Sequence, residues 1–230
     1  MESYNYNNYV DENKATYPLT KVFGYMFLGL GLTAAIAFGL FFLLASANIS
    51  PEVYIGMLAI SSIGIIVMSI VTQLVLVRGN AKGGLISYII YTVLMGVMLS
   101  SLFIGFDMSI IGYAFLCAAG SFGAMALYGI ITKRETSSLG MIGVGLLFGV
   151  LTLTLVNFLL RSEPLYWIIT YVGLIAMLMI TAWDVNRAKR LSENGMLNQA
   201  SAIFFALQIY TDFVYIFIRI VEIIARAKRN

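Results

Sequence analysis

Asp212 is an acid in an apolar place. It sits in Gln208-Ile209-Tyr210-Thr211-Asp212-Phe213, near the middle of an apolar run from Ala200 to Ile224. Asp184 closes another such run, in Ile180-Thr181-Ala182-Trp183-Asp184-Val185-Asn186-Arg187. On helical spacing, Gln208, Asp212, Tyr215, Arg219 and Glu222 fall on one face, and Thr170, Met177, Thr181 and Asp184 share a face of the preceding segment. A hairpin turning between the two segments brings the carboxylates to similar depths, offset by roughly 5–8 Å at 1.5 Å rise per residue. Two carboxylates that meet in low dielectric cannot both ionise cheaply, so they share a proton. Such a pair senses pH without histidine. Deprotonated, it offers hard oxygens suited to transient contact with Ca²⁺.

Plainer roles compete for the same residues. Asp184 can be a boundary acid paired with Arg187 one turn on. Asp212 can be neutralised by Arg219 two turns on, or stay protonated and structural. Arg219 and Glu222 have the spacing of a local ion pair. Arg78 reads as a basic anchor at a membrane surface.

Other chemistry is excluded by composition. The chain has no histidine, which removes a Ser-His-Asp triad, a histidine zinc site and an imidazole switch. Its single cysteine, Cys117, rules out an intramolecular disulfide and a multi-cysteine metal cluster. A microbial rhodopsin is disfavoured because the last apolar segment has no lysine for a retinal Schiff base. Neither an enzymatic activity nor a cofactor is expected. The net charge of +3 points to basic loops at a membrane rather than to a nucleic-acid partner.

The elements that must carry the two acids are membrane helices. Of 230 residues, 60% are hydrophobic and 11% charged, and the mean hydropathy is +0.92. A soluble domain carries about 25% charged residues. Seven apolar runs cover Val22–Ala47, Val53–Val77, Gly84–Ile104, Ser109–Thr132, Leu139–Leu160, Leu165–Trp183 and Ala200–Ile224. Each is near the ~20 residues that cross the hydrocarbon core as a helix, and none alternates as a barrel strand would. Ala45-Ser46-Ala47 resembles a signal cleavage site, but a signal core has about 7–15 apolar residues, so the first run is read as a retained span. The expected architecture is all-α: a polytopic membrane protein of seven transmembrane helices, the last one central. Residues 1–21 form a polar, disordered tail, 22–226 one transmembrane domain, and 227–230 a basic end.

The polar breaks are Asn48–Glu52, Arg78–Gly83, Gly105–Met108, Lys133–Ser138, Arg161–Pro164 and Asp184–Gln199. With the N-terminus cytoplasmic, Lys14, Lys21, Arg78, Lys82, Lys133, Arg134, Arg187, Lys189 and Arg190 fall inside, and only Arg161 lies in an outside loop. Arg226, Lys228 and Arg229 break this asymmetry. The last segment therefore either crosses against the rule or re-enters, and its length favours crossing. The 21 glycines lie mostly within the spans. Gly145 and Gly149, Gly120 and Gly123, and Gly140 and Gly143 are expected to pack helices closely within one bundle.

Trp183-Asp184-Val185-Asn186 with a basic run after it, followed by Leu207-Gln208-Ile209-Tyr210-Thr211-Asp212-Phe213-Val214-Tyr215-Ile216-Phe217-Ile218-Arg219, resembles the C-terminal signature of the Bax inhibitor-1 (transmembrane Bax inhibitor motif) family. Gly120-Ser121-Phe122 through Thr132-Lys133 resembles the family's fourth span, and Tyr91-Thr92 its third. Tyr215 stands where that signature has asparagine. The resemblance implies a pH-sensitive Ca²⁺ leak channel gated by a buried aspartate pair, which Asp184 and Asp212 match. It also implies a latch arginine at the end of the second span, best matched by Arg78. The glutamates that some relatives carry in spans two or four are absent from Val53–Val77 and Ser109–Thr132. The expected partners are the lipid bilayer, Ca²⁺ as transported ion, and protons. The expected location is a bacterial plasma membrane. A proton-coupled secondary transporter and a non-transporting regulator of membrane proteases or cell-death factors are the rival readings.

Overall fold

A computed structural model of the chain describes residues 17–46 and 50–228. Seven helices follow one another: α1 (Leu19–Ser46), α2 (Pro51–Val77), α3 (Ala81–Gly105), α4 (Met108–Ile131), α5 (Ser137–Leu160), α6 (Glu163–Glu193) and α7 (Gln199–Ala227). All seven are long and apolar enough to cross a membrane, and there is no strand among the described residues. In hydrocarbon every backbone N–H and C=O must be paired within the chain, which a helix achieves alone.

Helix limits follow local chemistry. Pro51 and Pro164 stand in the first turns of α2 and α6, where a missing N–H costs nothing. Asn80 and Asn198 cap α3 and α7, their side chains accepting from the N–H groups of Gly83 and Ser201 at 2.9 Å each. Between α2 and α3 the chain reverses at Gly79, whose φ of 78° a side chain would strain. α1 begins at Leu19, three residues before the expected boundary. Tyr17 is tied down: its N–H donates to the Leu197 carbonyl at 3.1 Å, and its own carbonyl accepts from Ser192 at 3.1 Å. The tail expected over the first sixteen residues lies outside the described ones, as do residues 47–49 and the last two.

One boundary is corrected substantially. Asp184 does not begin a loop. α6 runs on to Glu193, so its 31 residues extend about 46 Å. Apolarity stops at Trp183 while the helix continues as a polar, basic extension. Only Asn194–Asn198 turns the chain into α7.

α7 is the central helix. It packs against α1, α2, α3, α4 and α6 and is the most buried of the seven. α5 packs on α6, on the periphery. Large apolar side chains such as Phe27, Ile60, Phe148 and Leu159 point outward. The interior holds Thr33, Thr72, Thr92, Ser100, Thr170 and Thr181 among its apolar residues. Lipid tails are as apolar as leucine, so close packing and polar contacts have to hold such helices together.

Glycine makes the closest approaches. A Cβ on Gly96 would lie 2.9 Å from the Thr33 carbonyl and 2.7 Å from Ile36 Cβ, at the α1–α3 crossing. Gly96→Ala is therefore expected to destabilise the bundle by about 1–3 kcal/mol, read as a lowered thermal midpoint in detergent. Gly140 and Gly143 likewise fit against Trp183 and Ile180 of α6. Gly145, Gly149, Gly120 and Gly123 do not behave as expected. No described residue lies within 4 Å of a Cβ built on any of them. The turn of α5 and α4 aims them away from neighbouring helices, a direction that spacing alone leaves open.

The two ends of the bundle differ in charge. The start of α1 meets the α6–α7 turn, and this end carries Lys21, Arg78, Lys82, Lys133, Arg134, Arg187, Lys189 and Arg190. At the other end Lys228 donates to Asp107 at 2.7 Å, and Arg226 pairs with Glu163 at 3.5 Å. The hydrogen bond and charge of Lys228 hold the Asp107 carboxyl below the usual carboxylate range. These contacts put the C-terminal end of α7 beside the α3–α4 and α5–α6 connections. α7 is thus one unbroken helix through the bundle, with no re-entrant turn.

Candidate functional site

α6 and α7 meet along a polar seam. α6 contributes Thr170, Met177, Thr181 and Asp184, all buried on the one face that helical spacing predicts. α7 contributes Asp212 at mid-length. Asp184 is 2% exposed and Asp212 4%. Asp184 is near enough to act on Asp212 electrostatically, and Thr181 lies alongside. The Thr181 hydroxyl donates to the Met177 carbonyl at 2.9 Å. Among the described residues, three buried side-chain polar atoms have no hydrogen-bond partner: Asp184 Oδ1, Asp212 Oδ2 and Thr170 Oγ1. All three belong to this seam. Leaving a buried polar atom unpaired costs about 1–3 kcal/mol, and more for a charge. A seam that concentrates such atoms is a place where protons or a cation find ligands the fold has not used.

The nearby cations do not neutralise the pair. Arg187, one turn beyond Asp184, forms no ion pair with it within 4 Å, although its charge acts on that carboxylate. Its guanidinium stacks instead on Trp183 and Phe205, 5.5 and 5.6 Å from the ring centroids. Arg219 is taken by Glu222 at 2.9 Å and lies over the Tyr215 ring at 5.0 Å. The local Arg219–Glu222 pair is as expected, and neutralisation of Asp212 by Arg219 is not seen.

Arg78, the arginine matched to the latch, is exposed at the C-cap of α2 and makes no ion pair among the described residues. α2 stops beside the first turns of α7, where a groove of about 310 Å³ is lined by Leu76, Val77, Gly79, Arg187, Phe204 and Phe205. Arg187 lines that groove, and its charge acts on Asp184. The arginine that acts on Asp184 in this arrangement comes from α6 itself.

Polar fastenings on both sides hold the seam in place. Asn186 is buried two residues beyond Asp184, on the flank of α6 that faces α4. Its Nδ2 donates to the carbonyls of Gly129 at 3.0 Å and Thr132 at 3.5 Å. Its Oδ1 accepts from Thr136 at 3.2 Å and from Arg190 Nε at 3.0 Å. Lys189 and Arg190 add bonds to the carbonyls of Thr132 and Lys133, both at 3.3 Å. Gly129 permits the approach, since a Cβ there would lie 2.6 Å from the Ala182 carbonyl.

On the far flank of α7, the Tyr210 and Thr33 hydroxyls are 2.6 Å apart, and Thr33 donates on to the Thr92 carbonyl at 3.0 Å. Tyr91 and Thr211 are hydrogen-bonded at 3.4 Å. Tyr88 and Tyr91 pack edge-on against the Tyr210 ring. Asp212 therefore rides on a helix locked to α1 and α3 by its two preceding residues. In the sequence, Asn186 and Tyr91 stand out only within the family resemblance. A polar residue off the Asp184 face of an otherwise apolar helix was the available signal for Asn186.

A family model described as "Inhibitor of apoptosis-promoting Bax1" matches residues 17–230, nearly the whole chain. The chain belongs to the Bax inhibitor-1 family. It is 32% identical over 212 residues to the inner membrane protein YbhL of Escherichia coli K12, covering 89% of each chain. An uncharacterised membrane protein of Streptococcus pyogenes serotype M1 is 28% identical, over 90% of this chain and 91% of its own. An uncharacterised protein of Rickettsia prowazekii is 28% identical, over 96% and 94%. No solved structure gives a significant match. As a Bax inhibitor-1 family member with seven spans and membrane-protein relatives, the chain is an integral membrane protein.

Proposed function

We propose that this protein is a Ca²⁺ leak channel whose conductance is set by the protonation of Asp184 and Asp212. The observation that carries the reading is the seam itself. Two buried carboxylates from adjacent helices each have an oxygen without a partner, inside a membrane bundle. With a shared proton the pair is tolerated in low dielectric, and α6 and α7 stay packed. Loss of that proton leaves two like charges. At about 5 Å and an effective dielectric of 20 they repel by roughly 3 kcal/mol, enough to shift a two-state helix contact more than a hundredfold. The same step exposes anionic oxygens to a cation.

Ca²⁺ takes 6–8 oxygens when bound tightly. No third carboxylate joins the pair among the described residues. Two carboxylates with threonine hydroxyls suit a passing ion better than a stored one. The residues act as a gate and a transient ligand, and no catalytic role is assigned. The charge asymmetry supports a cytoplasmic N-terminus, with the Arg187–Arg190 end inside. The E. coli relative's name supports a bacterial plasma membrane.

The test is Ca²⁺ flux into liposomes holding the purified full chain, between about pH 5.5 and 8. Flux above empty liposomes that rises with pH is the expected result. Absence of flux at every pH, with folded protein, overturns the channel and leaves a non-transporting regulatory role. Flux that saturates and moves protons in fixed ratio replaces the leak by proton-coupled transport.

A further inference from the structure

Tyr215 does something its place in a polar stripe does not explain. It lies one turn from Asp212, toward the end of the bundle that holds Lys228. Its phenol tip reaches across α6 at Gly173, where a Cβ would lie 2.5 Å from the hydroxyl and 3.7 Å from Val150 of α5. Only a residue without a side chain at 173 leaves room for it. The Tyr215 ring also carries the Arg219 guanidinium at 5.0 Å, so ring and charge sit together.

One turn beyond Gly173 is Thr170, fully buried, with Oγ1 unpartnered. Helical threonines here usually bond back to the carbonyl four residues earlier, as Thr72, Thr154, Thr181 and Thr211 do. The Thr170 hydroxyl is left free on the same seam as the aspartates, on the other side of Tyr215.

We propose that Tyr215 is a wedge that closes the seam between the aspartate pair and the Lys228 end, and that Thr170 lines the passage opened when the wedge leaves the Gly173 notch. As a cation path this rests on the leak reading. Seated, the wedge fills the notch. Displaced, it empties the notch and joins the Thr170 hydroxyl to the aspartate oxygens in one polar line.

The test is thiol accessibility combined with flux. Thr170→Cys is placed in a Cys117→Ser background, and a charged, membrane-impermeant methanethiosulfonate is added at the Lys228 face of reconstituted full-length protein. With Tyr215 present the introduced thiol should be protected. Tyr215→Ala should raise its labelling rate by about tenfold or more and raise Ca²⁺ flux with it. Gly173→Ala, which evicts the phenol tip, should expose the thiol too, and Tyr215→Phe, which keeps the ring, should rescue protection. Equal labelling with and without Tyr215, or none in folded Tyr215→Ala and Gly173→Ala proteins, overturns the wedge. Labelling that changes as expected while no variant conducts upholds the wedge and refutes the leak. Flux in wild type with no labelling change refutes the wedge and upholds the leak.

Discussion

Replacing Asp212 with asparagine is expected to flatten the pH profile of Ca²⁺ flux, cutting its variation between about pH 5.5 and 8 by at least roughly tenfold. Asparagine keeps the shape of the side chain but holds no titrating proton and brings no charge against Asp184. The repulsion proposed to part α6 and α7 then never develops. Asp184→Asn should act in the same way, because the gate belongs to the pair. The double variant should be no worse than either single one, the non-additivity expected of groups that share a proton. Stability should not fall. Asp212 Oδ2 has no other partner to lose, and an asparagine amide can donate to Asp184 in place of the shared proton while removing the cost of a buried charge. A thermal midpoint at or above wild type, together with a flat flux profile, is the combined signature. A wild-type profile in folded Asp212→Asn protein would refute the aspartate gate.

Asn186→Ala is expected to cost stability rather than pH sensing. The substitution removes four hydrogen bonds and strands the Thr136 hydroxyl and the Gly129 carbonyl in a buried site. Single hydrogen bonds between membrane helices average only about 0.6 kcal/mol, but unsatisfied buried groups cost about 1–3 kcal/mol. A loss of roughly 2–3 kcal/mol follows, measurable by reversible unfolding in mixed detergent and denaturing micelles. Leucine should be no better, because α4 approaches too closely at Gly129 to admit its branches. A loss below about 0.5 kcal/mol would mean that Lys189 and Arg190 hold the α4–α5 connection unaided. The pH dependence of flux should survive in this variant, since Asn186 lies off the seam.

The chain's residues fixed much of this before any fold was known. Apolar runs of membrane length can only be helices, because hydrocarbon offers no partner to a free backbone group. Seven helices, their order and the antiparallel course of neighbours follow from that constraint and the short connections. Asp184 and Asp212 stood out because charges are rare and costly in such runs, and the 3.6-residue period assigned each a face. The family was legible from the residues around those acids.

What remained depended on contacts between helices, which the period of a single helix does not encode. The apolar stretch ended at Trp183, but the helix did not, since polar residues continue a helix as well as apolar ones. Glycines recur at similar spacings in α4 and α5, and α6 holds Gly173 alone. Only packing distinguishes Gly129, Gly140, Gly143 and Gly173, which receive a neighbour, from Gly145 and Gly149, which face outward. Arg78 and Arg187 were both basic residues at helix ends. Helical spacing already sets Arg187 one turn from Asp184, but only the tertiary structure stacks its guanidinium on Trp183 and Phe205 and leaves Arg78 exposed. The sequence by itself determined which groups lie at which depth, because solvation by lipid acts on each segment alone. The partner each group meets was decided by the tertiary structure, because helix rotation and crossing are set by close packing summed over the whole bundle.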